Sequence, residues 1–443
     1  MPKMMKLSSI ILCAATMLVA APVSYMPAFA QDEFADVQPA RKKGKKKNKK
    51  GSGENEDTAG KPAASALPGK AATKAELAAL NSEPYGRAVD VFVAGEGNPY
   101  ASIRIPDIIN ANGMLVAMAE GRYQDTDQGQ NDLIVSMSRN GGKTWSKPVV
   151  AAASKGATFN NPCLIYDAKN KQIVLFFQRY PEGIKERTPD IPTGWDDARC
   201  IRNFVSFSRN GRKWSKPRDV TEFTKNAGVT ITCSGPNPGV QITRGEHKGR
   251  IVVPLNEGPF GNWTLAAAYS DDGGKTWKIG KKSDAGRGIN EVSIVETSDG
   301  GLFVVSRAWG GGQRKVAYSD NGGESWGPVN DHPELMSPNC QNGLTRYSHE
   351  DDEALGARGR ILFSSPTTGS RTNGIIKMSY DDGKTWPVEK YVGDGPFAYS
   401  VLCPVKPGVA GVLYEVNGHP IRHIRFAPFS ISWLTDGEDT GLK

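Results

Sequence analysis

The chain has 443 residues, 38% of them hydrophobic and 23% charged, with a formal net charge of +8. This is enough chain and enough apolar content for one large folded domain or two ordinary ones, and it excludes both a mini-protein held by staples and a wholly disordered chain. The positive charge is uneven: residues 1–83 carry +5 and the rest +3, so a nucleic-acid reading of the basic isoelectric point would rest on the N-terminal tail alone, and none is adopted.

Lys3 and Lys6 precede an apolar stretch from Ile10 to about Pro22, and Ala28-Phe29-Ala30 precedes Gln31. Charge, apolar core and small-residue cleavage site in that order predict a signal peptide over residues 1–30, cleaved near Ala30, and a secreted or periplasmic/cell-surface mature chain. Cys13 falls inside the apolar stretch and reads as its filling. No other run reaches the roughly 18 apolar residues of a membrane span. Eight of the ten residues from Arg41 to Lys50 are Lys or Arg, and the following sequence is polar and rich in Ala, Gly and Pro. Residues 31–83 therefore read as a disordered linker whose lysine run either contacts an anionic surface or is simply solvated. The five later cysteines (Cys163, Cys200, Cys233, Cys340 and Cys403) are odd in number, widely spaced and without a CxxC pair, which favours buried thiols over a disulfide framework or a zinc site.

The folded region is expected over residues 84–435, with 436–443 as a C-terminal tail. Fifty Gly and 29 Pro spread along the chain favour short strands and tight turns. One phrase recurs: SRNGGKTW from Ser138, SDDGGKTW from Ser270, SDNGGESW from Ser319 and SYDDGKTW from Ser379, with a shortened copy, SRNGRKW, from Ser208. Ser and Asp/Asn side chains cap backbone amides in a turn, Gly supplies positive φ, and Trp packs between neighbouring sheets, so these copies are structural. Successive copies start 70, 62, 49 and 60 residues apart. At about 60 residues per unit the region holds six, which predicts an all-β, six-bladed β-propeller with Asp-box repeats. Strand-like IVLFFQ from Ile173, GRIVVPL from Gly249, GLFVVSR from Gly301 and GRILFSS from Gly359 fit between the copies.

A propeller brings strand ends from all blades to one axial face, so candidates for chemistry are read as a constellation. Arg104, in SIRIPDII on the innermost strand of the first blade, is an arginine among isoleucines that requires an anion, either a structural carboxylate or a ligand. An Arg-Ile-Pro near the start of a six-bladed, Asp-box-bearing chain resembles the bacterial exo-α-sialidases (neuraminidases, glycoside hydrolase family 33), and the resemblance spans roughly residues 86–435. It implies that three arginines grip the substrate carboxylate: Arg104, Arg307 in GGLFVVSRAW and Arg371 in SSPTTGSRTNG. Three fork-shaped guanidiniums around one planar carboxylate make charge-assisted bidentate bonds that lysine would not reproduce.

The resemblance further implies a tyrosine nucleophile, Tyr399 in GPFAYSVLCPV, assisted by Glu291 in INEVSIVE. A neutral phenol approaches an anomeric carbon flanked by a carboxylate without charge repulsion, and needs a base because its ordinary pKa is about 10. The general acid is expected on the loop MAEGRYQDTDQGQND, where Asp127 is preferred on spacing, Asp125 is the rival and Asp132 stands too close to the next strand. Arg122 is implied beside the sugar ring, and Glu415 in VLYEVNG as the carboxylate orienting Arg104. The segment from Arg179 to Cys200 reads as a long loop that either shapes an aglycone subsite or is a surface excursion. The implied function is a retaining exo-α-sialidase acting on terminal sialic acids of glycoproteins, glycolipids and oligosaccharides, with no metal or organic cofactor. Transfer to a sugar hydroxyl, cyclisation, a related nonulosonic acid as substrate, and a non-catalytic sialoside-binding propeller remain the alternatives.

Overall fold

The computed structural model describes residues 67–443 apart from 285, 368, 369, 417 and 419. The expected signal peptide and the lysine run of residues 41–50 lie outside the described residues. Among the described residues, no helix is long and apolar enough to cross a membrane.

Six antiparallel sheets form the six expected blades. Blade 1 runs outward from the axis through Ser102–Ala111, Met114–Arg122, Asn131–Ser138 and Val149–Ala152. Blade 2 follows with Thr158–Asp167, Gln172–Tyr180, Arg202–Ser208 and Arg218–Asp219, and blade 4 with Ile289–Glu296, Leu302–Ala308, Gly312–Ser319 and Asn330–Ser337. In blade 3 two short strands, Ile231–Ser234 and Val240–Gln241, share the innermost position against Ile251–Gly258, followed by Thr264–Ser270 and Lys278–Ile279. Blade 5 comprises Gly343–Ser348, Arg360–Pro366, Thr372–Ser379 and Val388–Pro396.

Blade 6 closes the ring. Its three inner strands, Ser400–Lys406, Val409–Val416 and His423–Ser430, come from the end of the domain, and its outer strand, Val89–Val93, comes from the beginning. The ring is thereby fastened by backbone hydrogen bonds between the two ends of the domain; the five cysteines among the described residues are buried thiols.

Because each blade is covered on both faces by its neighbours, the middle strands carry continuous apolar runs instead of alternating ones. All nine residues of Met114–Arg122 and all eight of Val409–Val416 are buried. The cores lie between blades: Phe92, Ile103, Ile108, Leu115, Val401, Leu413 and Phe426 form one cluster joining blades 6 and 1.

The repeated turns join the third and fourth strands of blades 1–5. In the first, Ser138 Oγ accepts from Gly142 N at 2.9 Å, Asn140 Oδ1 accepts from Thr144 N at 3.0 Å, and Trp145 Nε1 donates to Gly142 O at 3.1 Å. The shortened copy keeps the scheme with one residue fewer, Trp214 Nε1 donating to Gly211 O at 2.9 Å. Each turn leans on the preceding blade: Trp145 meets Phe426 of blade 6 at 5.4 Å and Trp277 meets Phe176 of blade 2 at 5.5 Å between ring centroids. Gly142 shows why no other residue serves there. Its φ is +85°, and a Cβ would stand 2.1 Å from the Phe426 ring. Blade 6 has no copy; there Ser430 caps the short helix Ile431–Leu434, accepting from Trp433 N at 3.0 Å.

Two boundaries read from sequence are corrected. Residues 67–83 belong to the folded unit rather than to a disordered linker. Thr73 and Glu76 form a reciprocal capping box on the helix Lys74–Ala79, Glu76 pairs with Lys406 at 2.8 Å, and Ala72, buried in the blade 6–blade 1 core, donates to Pro407 O at 3.0 Å. Leu77 and Leu80 pack against the same core. The C-terminal tail is docked too, through Asp439, which takes both Nε and Nη2 of buried Arg360 at 2.7 Å.

Candidate active site

Within each blade the first and third strands start, and the second ends, on one face of the propeller; the repeated turns lie on the other. Arg104 and Glu291 stand near the start of first strands and Tyr399 immediately before one, while Arg122, Arg307 and Glu415 stand at or near the end of second strands and Arg371 just before a third. The topology therefore delivers all of them to the same face, where a cavity of about 520 Å³ is lined by Arg104, Arg122, Asp127, Glu291, Arg307, Arg371 and Tyr399.

Glu415, wholly buried, organises one side of this cavity. Its carboxylate accepts from Arg104 Nε at 3.0 Å, Arg104 Nη2 at 3.2 Å, Ile105 N at 2.9 Å and Tyr399 N at 3.4 Å. Ile105 reaches it by adopting φ +56° at a bulge where the register shifts between Arg104 and Asp107. A β-branched residue in that region costs about 1–3 kcal/mol, which the surrounding hydrogen bonds offset. Arg104 is buried; desolvation opposes its charge, but Glu415, with Tyr399 and Asp127, more than compensates and holds the guanidinium above its ordinary value. One carboxylate thus fixes an arginine and the backbone of the tyrosine together, with Arg104 Cζ 4.9 Å from the Tyr399 ring centroid.

Tyr399 Oη donates to Glu291 Oε1 in a short hydrogen bond, and Arg307 Nη1 donates both to Glu291 Oε2 and to Tyr399 Oη at 2.9 Å. Burial, then the charge of Glu291, pushes the Tyr399 hydroxyl well above its ordinary range, against the pull of Arg307, Arg371 and Arg104. The phenol is therefore neutral at rest, with its proton already directed at a carboxylate. Arg371 completes the cluster, its Cζ 5.2 Å from the same ring.

Asp127 lies on the loop between the second and third strands of blade 1, its side chain 65% exposed. Arg122 Nη1 donates to its Oδ1 at 2.7 Å and Arg104 Nη1 is 3.6 Å away. Burial works to raise its pKa, but Arg122 and Arg104 outweigh it and hold the carboxyl below its ordinary value. Arg122 is itself anchored by Glu120 Oε2 at 2.9 and 2.8 Å. The rivals separate cleanly: Asp125 is exposed and does not line the cavity, and Asp132 is a buried structural acceptor for Tyr100 Oη, Tyr123 Oη and Ser154 N at 3.1, 2.9 and 2.9 Å.

Sequence reasoning missed a residue that holds two of the arginines and some of the cavity's rim. Asn339, at φ +56°, accepts from Arg307 Nε at 3.0 Å through Oδ1, and its carbonyl accepts from Arg371 Nη2 at 3.3 Å, so one residue spaces two arginines. The long segment after Arg179, left by the sequence between an aglycone subsite and a surface excursion, turns inward: Lys185, Glu186 and Arg187 line the cavity, and Arg187 lies over Phe260 at 4.7 Å. Phe260 meets Trp309, 41% exposed, edge to face at 5.3 Å. A GGG run after Trp309 was the only sequence sign that this aromatic sits at an open rim.

Residues 113–408 match the family model of the BNR repeat-like domain. Among curated relatives, the chain is 32% identical over 366 residues to a sialidase of Micromonospora viridifaciens, the match covering 80% of this chain and 55% of that one. It is 27% identical over 373 residues to a sialidase of Bacteroides fragilis, with 79% and 66% covered. The chain thus spans between about half and two thirds of the length of these relatives. Its fold is shared with the solved Hadza microbial sialidase Hz136, at a TM-score of 0.69 and 24% identity over 79% of this chain and 69% of that one. It is shared equally with the intramolecular trans-sialidase from Ruminococcus gnavus, at a TM-score of 0.69 and 21% identity over 78% and 98%.

Proposed function

The chain belongs to the BNR repeat-like family, with sialidases among its curated relatives, and from that premise we propose that it is a retaining exo-α-sialidase, working through a tyrosyl intermediate on terminal sialic acids of glycoconjugates. The observation that carries this reading is the Tyr399–Glu291–Arg307 contact set inside a cluster of arginines. Arg104, Arg307 and Arg371 bind the substrate carboxylate by charge-assisted hydrogen bonds, each contributing about 1.5–3 kcal/mol, which selects an anionic sugar over a neutral one.

In the first step Tyr399 Oη attacks the anomeric carbon and gives its proton to Glu291, while the glycosidic C–O bond breaks and its oxygen takes a proton from Asp127. In the second, water attacks the same carbon and gives a proton to Asp127; the C–O bond to Tyr399 breaks and the phenol recovers its proton from Glu291. Two inversions give net retention. Asp127 must be protonated to act first as an acid, although Arg122 and Arg104 on their own favour its anion. A substrate carboxylate seated on Arg104 diverts that cation and adds a negative charge nearby, both of which raise the Asp127 pKa in the complex. The basic limb of kcat, which reports the complex, is therefore expected at higher pH than that of kcat/KM.

Proton NMR of an α-sialoside incubated with the full chain tests the reading. Release of the α-anomer of free sialic acid before mutarotation supports it. The β-anomer first refutes retention, an anhydro-sugar or a sialylated acceptor as main product assigns transfer or cyclisation, and no turnover with binding retained leaves a sialoside-binding propeller. Export through residues 1–30 and surface contact through residues 41–50 are part of the same proposal. They rest on the sequence pattern and are tested by N-terminal sequencing of the mature chain and by surface retention with and without residues 41–50.

A further inference from the structure

Glu186 occupies the cavity wall with neutral partners. Its Oε1 accepts from Tyr180 Oη at 3.4 Å, and Cys233 Sγ is 3.9 Å away. Tyr180 and Cys233 are buried and touch each other at 3.2 Å. The charged groups facing Glu186 across the cavity are Glu291 and Asp127, with Arg307 as the opposing cation, and Lys185 and Arg187 flank it on its own loop. Burial first, then the charges of Glu291 and Asp127, push its carboxyl up to about 7. Near neutral pH this group divides between a hydrogen-bond donor and a half-buried anion. The mechanism above does not use it.

Blade order fixes which edge of a bound sugar it meets. The arginines come from blades 1, 4 and 5 and the tyrosine from the start of blade 6. Glu186 comes from blade 2, and Cys233 and Asn256 of blade 3 line the cavity with it. In a ring of six, blades 2 and 3 lie across the axis from blades 5 and 6. A sugar with its carboxylate on Arg371 and Arg104 and its anomeric carbon at Tyr399 turns its opposite edge toward Glu186.

We propose that Glu186 is a specificity-determining residue for the sugar: protonated, it donates a hydrogen bond to an amide carbonyl or hydroxyl oxygen of a substituent on the edge away from the carboxylate, and ionised, it disfavours that substituent. The inference rests on the sialoside reading. Its test is the affinity of the full chain for 2-deoxy-2,3-dehydro-N-acetylneuraminic acid, measured calorimetrically across neutral pH in an Asp127→Asn background, which removes the proton uptake expected of Asp127 itself. If the ligand needs the protonated form, Kd rises about tenfold between pH 6 and pH 8. With Glu186→Gln added, which keeps a donor and removes the titration, Kd changes less than about twofold over the same range. An equal slope with and without Glu186→Gln, or a flat profile in the Asp127→Asn chain, overturns the inference. Turnover of an aryl α-sialoside by the unaltered chain is followed in parallel. Binding with the expected slope but no turnover refutes the hydrolase reading and leaves the role of Glu186 standing, whereas no binding at any pH overturns both.

Discussion

The face of the propeller where the third strands end repeats one solution five times, whereas the opposite face uses each of its polar residues once. On the repeated face, Ser and Asp or Asn satisfy amides of their own turn and Gly and Trp fill the gap to the preceding blade, while buried charges such as Arg360 with Asp439 only tie the scaffold together. On the other, Arg104, Glu120, Arg122 and Glu415 are buried charges that depend on one another, and Ile105 holds a disfavoured backbone angle. The difference separates stability from chemistry: the first face holds the ring closed, and the second spends part of that stability on a preorganised set of charges.

That separation can be broken or sharpened by substitution. Tyr399→Phe, on the singular face, is expected to lower kcat on a sialylated oligosaccharide by about 10³-fold, some 4 kcal/mol in the barrier, with little change in the urea midpoint. Trp277→Ala, on the repeated face, should do the reverse, costing about 3 kcal/mol of stability in urea unfolding while the folded fraction keeps its kcat/KM within about twofold. If it abolished activity in the folded protein, the two faces would not be independent. Glu415→Gln leaves Arg104 without its buried counter-charge and should weaken calorimetric binding of sialic acid by about 10–100-fold, or about 1.4–2.8 kcal/mol.

A smaller effect is expected from pH. The Glu186 carboxyl is raised on folding from 4.5 to about 7, so the folded state binds more protons between those values and stability falls as pH rises through that window. The penalty is complete above pH 7. Glu186→Gln should therefore unfold at higher urea than the parent near pH 8, by about 1–3 kcal/mol, with the difference gone near pH 4.5. Smallest of all, Lys406→Met removes a partly exposed ion pair with Glu76 and should cost under about 1 kcal/mol, read as a small shift in the same unfolding curve.

The two faces were also unequally legible in the sequence. The repeated turns declare themselves by self-similarity, and their spacing fixed the number of blades. The singular residues have no internal repeat; Arg104, Glu291, Arg307, Arg371, Tyr399 and Glu415 could be gathered only by resemblance to a family, and in the structure the first five line one cavity with Glu415 behind Arg104. Asp127 could not be separated from Asp125 by spacing because the distinction is tertiary, set by where Arg122 and Arg104 reach. Glu186 was out of reach for a related reason. A loop rich in Pro, Gly and charge has no period, and it is tied down by contacts distant in sequence, such as buried Lys225 donating to Gly194 O and Ile201 O, 31 and 24 residues away, at 2.7 and 3.1 Å. The helix Lys74–Ala79 did carry a sign, the Thr73-x-x-Glu76 box, which was hidden in a stretch read by composition alone.

The central claim is that Tyr399 is the nucleophile, and the most direct measurement is peptide mass mapping after incubation with a 2,3-difluoro sialic acid, whose second fluorine slows release of the covalent sugar. The predicted result is one fluorosialyl group on the peptide containing Tyr399, formed at the rate at which activity is lost and absent from Tyr399→Phe. An adduct on Glu291 or Asp127, or inactivation of Tyr399→Phe at the rate of the parent, would contradict it.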